Sequence, residues 1–236
     1  MQSLGLRARA FGGAQLAQGQ ALPSSLHREA MSRHARRIMN LVLATLLLIS
    51  ALPLLALLAL CIRLDSRGPV FFKQTRIGRY GRPFQMYKLR SMINDADPGP
   101  HREHVRALIQ GQALEGKPSW RKLGSDARVT PFGKFLRCSN LDELPQLFNV
   151  MRGEMSIVGP RPALPYEVEV WEDWHHRRLS VRPGITGLWQ VDGLELVDFD
   201  GMVHLDLEYI SRQSLGLDLA ILGRTPLALA RRRGAG

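Results

Sequence analysis

Residues 38–62, IMNLVLATLLLISALPLLALLALCI, carry no charge at all. At ~1.5 Å per residue, a helix over this run reaches across the ~30 Å hydrocarbon core of a bilayer. A cleaved leader does not fit, because no small-residue cleavage site follows and Arg63, Asp65 and Arg67 come directly after. Helices buried in soluble cores are rarely so long and so uniformly apolar. Whatever else the chain builds must therefore accommodate a membrane segment.

Two features qualify how that segment sits. Arg33, His34, Arg36 and Arg37 precede it, and Arg63, Arg67, Lys73, Arg76, Arg79 and Arg82 follow. Basic flanks favour the cytoplasmic side, so the charge asks for both ends on one face. Pro53 lies past the middle, where it removes a backbone bond and crowds the carbonyl of Ile49. The Ser50 hydroxyl is a candidate to satisfy the freed backbone. A kinked helix that enters and leaves by one face fits both observations, while an ordinary bitopic helix with a proline kink stays open as the alternative.

The net charge of +11 and pI near 10.6 call for an anionic partner: nucleic acid, anionic lipid or a phosphorylated small molecule. Basic residues do not interleave with aromatics as in stacking platforms, so nucleic acid is not the expected partner. Cys61 and Cys138 show no metal-ligand spacing and suggest no disulfide framework. Three stretches follow from composition: an irregular or over-extended start over 1–30, a membrane segment over 31–64, and a cytoplasmic domain over 65–236. Met31 opens MSRHARRIMN and looks like a natural beginning.

Within the cytoplasmic stretch, VFFKQTRIG and FQMYKLRSM are short β-prone runs behind Gly-Pro and Gly-Arg-Pro turns, which predicts a small hairpin. Residues 94–126 read as a polar insertion with a weak helical pattern. Residues 166–179 read as an amphipathic helix, with further helices over 200–213 and 214–233.

The segment LDELPQLFNVMRGEMSIVGPRP holds two adjacent carboxylates, Asp142 and Glu143, with Pro145 behind them. Neighbours on a helix point about 100° apart, so the pair suits distinct roles better than a shared one. The helix start is open between Asn140, as the cap of a capping box with Glu143, and Asp142, which places Pro145 in the first turn. An isolated Asp-Glu pair is usually a solvated helix end. Here Arg128, Arg137, Arg161 and Arg182 cluster around it in sequence, the last two at proline- and glycine-rich turns that would pre-orient bidentate donors to phosphate.

The ordered set SRGPVFFKQTRIG, FQMYKLRSM, DARVTPFGKFLRCSNLDELPQLFNVMRGEMSIVGPRP, RPGITGLWQV and LDLEYI resembles the bacterial sugar transferase family of monotopic polyprenyl-phosphate phosphoglycosyl transferases. The likeness runs from about Arg36 to about Leu229. It implies an α+β, mostly helical fold: a membrane-associated domain with one proline-kinked re-entrant helix and a small β-hairpin. It also implies transfer of a sugar phosphate from a UDP-sugar donor to a polyprenyl phosphate acceptor, starting exopolysaccharide or related glycan assembly. Asp142 would then be the nucleophile of a covalent phosphosugar intermediate. Glu143, with Asp142, would hold Mg²⁺, while Lys88, Arg90, Arg128, Arg137, Arg161 and Arg182 would bind substrate phosphate. Membrane lipids would be partners, with the catalytic domain on the cytoplasmic face of the inner membrane, and a homo-oligomer is compatible with the sequence.

The chain departs from the family pattern at three points. Asn40 stands where an aspartate is common, Leu52 replaces the usual serine before Pro53, and Gly193-Leu194-Glu195 replaces Gly-Arg-Asn. Two other function classes stay in view: an inactive relative that keeps the fold, and a basic membrane-anchored binding protein.

Overall fold

The computed structural model describes residues 24–94, 99–109, 127–192 and 198–233. The altered Gly193-Leu194-Glu195 loop and most of the amino-terminal thirty residues lie outside these. Among the described residues fifteen short and long elements follow one another, but one of them organises the rest.

Helix α1 runs over Ser24–Asp65, with Pro53 inside it. It therefore begins seven residues inside the stretch that composition marks as irregular. Ala44, Leu48, Leu55, Leu58 and Ile62 are buried. At 100° per residue these five fall within an arc of about 80°. That stripe packs on the main core with Met86, Leu136, Val150 and Ile157. The opposite face exposes Ile38, Val42, Leu46, Ile49, Leu57 and Leu60. Over Ser32–Asp65 the helix is long and apolar enough to cross a membrane. Ser50 donates to the carbonyl of Leu47 at 3.0 Å, not to that of Ile49 which Pro53 leaves without its usual donor.

Polar contacts tie both ends of α1 to the folded domain. At the start, Arg37 donates to the carbonyls of Val150 and Met151 at 2.7 and 3.0 Å. Asn40 accepts from the Ile157 amide at 2.7 Å and donates to the Arg36 carbonyl. At the far end, Asp65 accepts from the Phe132 amide, and Arg90 donates to Ser66 and Arg67 carbonyls.

The predicted hairpin is present. Strands β1 (Phe71–Ile77) and β2 (Pro83–Leu89) pair antiparallel, with Phe72 opposite Lys88 and Arg76 opposite Phe84. Alternation places Arg76, Gln74 and Lys88 on one face. A second pair, which the sequence patterns do not announce, joins β3 (Ser156–Val158) to β4 (Gly184–Thr186) in parallel. Its strands are three residues each, too short for a periodic signal. Gly184 is required there, because a β-carbon on it would meet the Gly159 nitrogen at 2.2 Å.

Helix α2 (Gly99–Ile109) lies within the polar insertion, and the rest of that insertion apart from Asn94 is outside the described residues. Helices α3 (Pro131–Ser139) and α4 (Gln146–Arg152) flank the Asp-Glu pair. The expected helix over 166–179 is instead a four-residue α5 (Pro165–Val168) and a 3-10 segment over His175–Ser180. Trp171 interrupts the run by turning into a second core with Trp189, Phe199 and Val203. After α6 (Leu188–Asp192), helices α7 (Phe199–Ser211) and α8 (Leu215–Arg233) match the sequence reading closely.

Asn149 joins the hairpin to α4. Its side chain is fully buried, accepts from the Tyr87 amide and donates to the Gln85 carbonyl and to Glu154. Replacing Asn149 with Ala removes the partner of three part-buried polar groups and is expected to cost about 2–4 kcal/mol. Thermal unfolding in detergent should show the midpoint falling by roughly 5–10 °C.

Candidate active site

Thr130 begins the local order of the site. As N-cap of α3 it accepts from the Gly133 amide at 3.0 Å, with Pro131 in the first turn. α3 ends on Asn140, whose backbone is left-handed at φ 56. This residue is a C-terminal stop, not the cap of the next helix. The chain then makes one 3-10 turn, Leu141–Glu143, and Pro145 stands as N-cap of α4. The carboxylate pair thus lies on the turn between two helices, and Pro145 takes a position that asks for no amide hydrogen.

The two acids have different surroundings, as their adjacency requires. Asp142 is buried at 3% exposure. The neighbouring Glu143 carboxylate accepts from Lys88 of β2 at 2.9 Å in a half-buried ion pair. A cleft of about 430 Å³ lined by Phe135, Cys138, Ser139 and Leu141 opens next to this turn, almost wholly apolar in its walls.

Across the hairpin face lies a residue the sequence patterns did not single out. Arg76 is buried, donates through Nη1 to the Pro162 carbonyl at 2.8 Å, and grips Gln74 Oε1 through Nε and Nη2. Next to it, the Ile77 amide donates to the Ala163 carbonyl. Burial first, then the like charge of Arg161, lowers the Arg76 pKa to about 10, with Glu167, Tyr166 and Glu143 pulling the other way. The charges of Arg161 and Glu143 thus both act on the Arg76 guanidinium. Only its position on β1, two residues beyond Gln74 and on the face of Lys88, would have marked Arg76 in advance.

The loop of Arg161 has a second support. Arg178 and Asp206 form a fully buried ion pair at 2.8 Å, and Arg178 also reaches the Arg161 carbonyl. The Arg178 guanidinium lies over the Trp171 ring, 5.2 Å from its centre.

The candidate cations divide by place. Lys88 and Arg161 belong to the neighbourhood of the Asp-Glu turn. Arg137 sits half-buried in the last turn of α3, which runs directly into that turn. The half-buried Arg128 accepts the Ile93 amide on its carbonyl, before α3 begins. Arg90 is spent on the carbonyls that end α1. Arg182 donates through Nε to the Gly153 carbonyl, past the far end of α4 from Asp142.

Mg²⁺ takes oxygen ligands and needs only one or two carboxylates when phosphates complete its shell. Asp142 and Glu143 on one turn fit that donor set. Among the described residues no cluster of three or more His, Cys, Asp or Glu exists, so any ion held by this pair would take the rest of its ligands from substrate or water.

The comparisons with known proteins agree in register. The family model for bacterial sugar transferases matches residues 31–232. An undecaprenyl-phosphate galactose phosphotransferase of Salmonella typhimurium is 39% identical over 207 residues, covering 86% of this chain and 42% of that protein. The exopolysaccharide production protein ExoY of Rhizobium meliloti is 38% identical over 201 residues, covering 85% of this chain and 88% of the relative. A UDP-glucose:undecaprenyl-phosphate glucose-1-phosphate transferase of Xanthomonas campestris is 39% identical over 196 residues, with 80% and 37% covered. The chain thus spans less than half the length of the first and third of these.

Burial pushes the Asp206 carboxyl up to about 6, against the opposing pull of Arg178. Its folded value lies above the ordinary 3.8, so the fold binds this proton more tightly than the unfolded chain does. The resulting stabilisation is complete below about pH 4 and is lost as pH rises through about 6. Melting midpoints across that window should flatten in Asp206→Asn relative to the unaltered chain.

Proposed function

The chain belongs to the bacterial sugar transferase family, and on that premise we propose that it moves a sugar 1-phosphate from a UDP-sugar to undecaprenyl phosphate through a covalent intermediate on Asp142. The observation that carries this reading is the turn Leu141–Glu143. It sets one buried carboxylate and one lysine-paired carboxylate beside an arginine loop and an apolar cleft.

In the first step an Asp142 oxygen attacks the β-phosphorus of the donor. The bond from that phosphorus to the oxygen bridging toward the α-phosphate breaks, and its electron pair leaves with UMP. In the second step a phosphate oxygen of the acceptor attacks the same phosphorus. The acyl-phosphate bond breaks, its electron pair returns to Asp142, and the product is a polyprenyl diphosphosugar. Splitting a meeting of two anions into two displacements lets one protein group serve as nucleophile and leaving group in turn.

Such steps need charge neutralised more than they need protons moved. Arg161, on a loop held by Arg76 from one side and Arg178 from the other, supplies a fixed guanidinium. Lys88 balances Glu143 and keeps its carboxylate oriented. Mg²⁺ held by Asp142 and Glu143 would neutralise the diphosphate and the leaving UMP. The cleft beside Leu141 suits the first isoprene units of the acceptor, whose phosphate then lies next to Asp142.

The re-entrant arrangement of α1 belongs to the same proposal. A straight helix from Arg37 to Asp65 is ~42 Å long and would carry its ends to opposite sides of a ~30 Å core. Both ends nevertheless bond to one folded domain. Entry and exit through the cytoplasmic face of the inner membrane reconcile these facts with the basic flanks.

Full-length protein in detergent, given a panel of UDP-sugars, undecaprenyl phosphate and Mg²⁺, is expected to release UMP. Asp142→Asn should lower that release about a thousand-fold or more, and chelation should abolish it. UMP release that survives Asp142→Asn would sink the nucleophile assignment. Arg161→Ala should cost about a hundred-fold, mainly in kcat. Tags at the two termini should both be cleaved by protease added from the cytoplasmic side; protection of one would instead indicate a crossing helix.

A further inference from the structure

Three arginines meet at the far end of α4, away from the Asp-Glu turn. α4 closes on Gly153, left-handed at φ 80, a conformation that leaves its carbonyl and those before it pointing out of the helix. Arg37 takes the Val150 and Met151 carbonyls. Arg182 takes the Gly153 carbonyl through Nε at 2.7 Å. The two guanidiniums crowd the same glycine, since a β-carbon on Gly153 would sit 3.3 Å from Arg37 Nη2. Arg79, at the hairpin tip, donates through Nε to the carbonyl of Ser180, two residues before Arg182.

This gathering of like charge is not offset locally. Among the described residues, no carboxylate forms an ion pair with Arg37, Arg79 or Arg182. Glu154, the acid next to Gly153, is bonded to the Asn149 amide. Burial first, and then Arg37 and Arg79, lowers the Arg182 pKa. Helix C-terminal carbonyls attract cations, which accounts for one guanidinium at this place. It does not account for three.

The position says which anion fits. Arg37 immediately precedes Ile38 and Val42, both more than half exposed, where the outward apolar face of α1 begins. Tyr80, exposed at the hairpin tip and stacked under the Arg79 guanidinium at 4.4 Å, is a side chain typical of a membrane–water boundary. With the outward face of α1 in a bilayer, the cluster comes to the depth of the lipid phosphates. Asp142 precedes α4 and Gly153 follows it, so a helix ~10 Å long separates the cluster from the reacting turn.

We propose that Arg37, Arg79 and Arg182 form a seat for the phosphate of an anionic phospholipid headgroup, beside the point where α1 enters the bilayer. The seat fixes how deep the domain rides, and it removes Arg182 from the set of substrate-binding arginines. It does not depend on the transfer reaction proposed above.

Native mass spectrometry of the full chain in neutral detergent, titrated with phosphatidylglycerol, counts bound lipid directly. The unaltered protein is expected to retain a tight phosphatidylglycerol. Arg79→Gln combined with Arg182→Gln should weaken it about ten-fold or more, while Arg79→Lys, which keeps the charge, should hold it. Equal retention by the double variant and the unaltered protein would overturn the proposal. So would displacement of the lipid by inorganic phosphate or UDP, because the seat would then serve soluble phosphates. Should the double variant fail to fold, Arg79→Gln against Arg79→Lys carries the same comparison. Arg79→Gln is expected to leave UMP release in micelles unchanged.

Discussion

Everything in this chain depends on an apolar helix whose uncharged run is bound to the folded domain on either side. One narrow stripe of α1 is covered by the core that also receives α3, α4 and β3, and the opposite face has nothing but aliphatic side chains to offer. Arg37 and Asn40 fasten the first end to α4 and β3, and Asp65 and Arg90 fasten the second to α3 and the hairpin. The membrane segment is therefore a structural member of the domain, not a tether beside it. The carboxylate turn is thereby held at a constant height relative to the outward apolar face of α1.

The same economy appears in the site. The hairpin face that carries Lys88 also carries Arg76, so one small sheet holds Glu143 with one residue and the Arg161 loop with another. Arg178 and Asp206, far from either, close the back of that loop from the second core. Arginine appears here in two capacities. Arg76, Arg90 and Arg178 are buried and reach backbone carbonyls, while Arg137 and Arg161 are half-buried.

Much of this was legible in the residues. The uncharged run, its basic flanks, the Asp-Glu turn and the Gly-Pro-Arg-Pro loop all carry strong local signals, because each relies on composition or on residues with restricted backbones. The hairpin and the last two helices were readable for the same reason. What sequence patterns missed are contacts between distant segments. Arg76 looks like any strand arginine until Pro162 is placed against it. Nothing in the sequence around Arg90 and Arg182 announces the backbone carbonyls that they hold near the ends of α1 and α4. Trp171 and Trp174 sit in a run with helical spacing, yet burying Trp171 in the second core breaks the helix they would have shared. Asn140 reads as a helix start by residue type and serves as a helix stop by its backbone.

The Asn40 contact with the Ile157 amide spans 117 positions of chain, and Arg37 reaches Val150 across 113. On the ribosome, α1 is made and can enter the bilayer long before those partners exist. Loop closure over such separations comes late in folding. The core around α4 thus cannot finish until the membrane helix is already seated and waiting. A chain whose α1 is displaced loses the stripe against which α4 and β3 pack. Seating of the apolar helix and completion of the core beneath it are therefore one event.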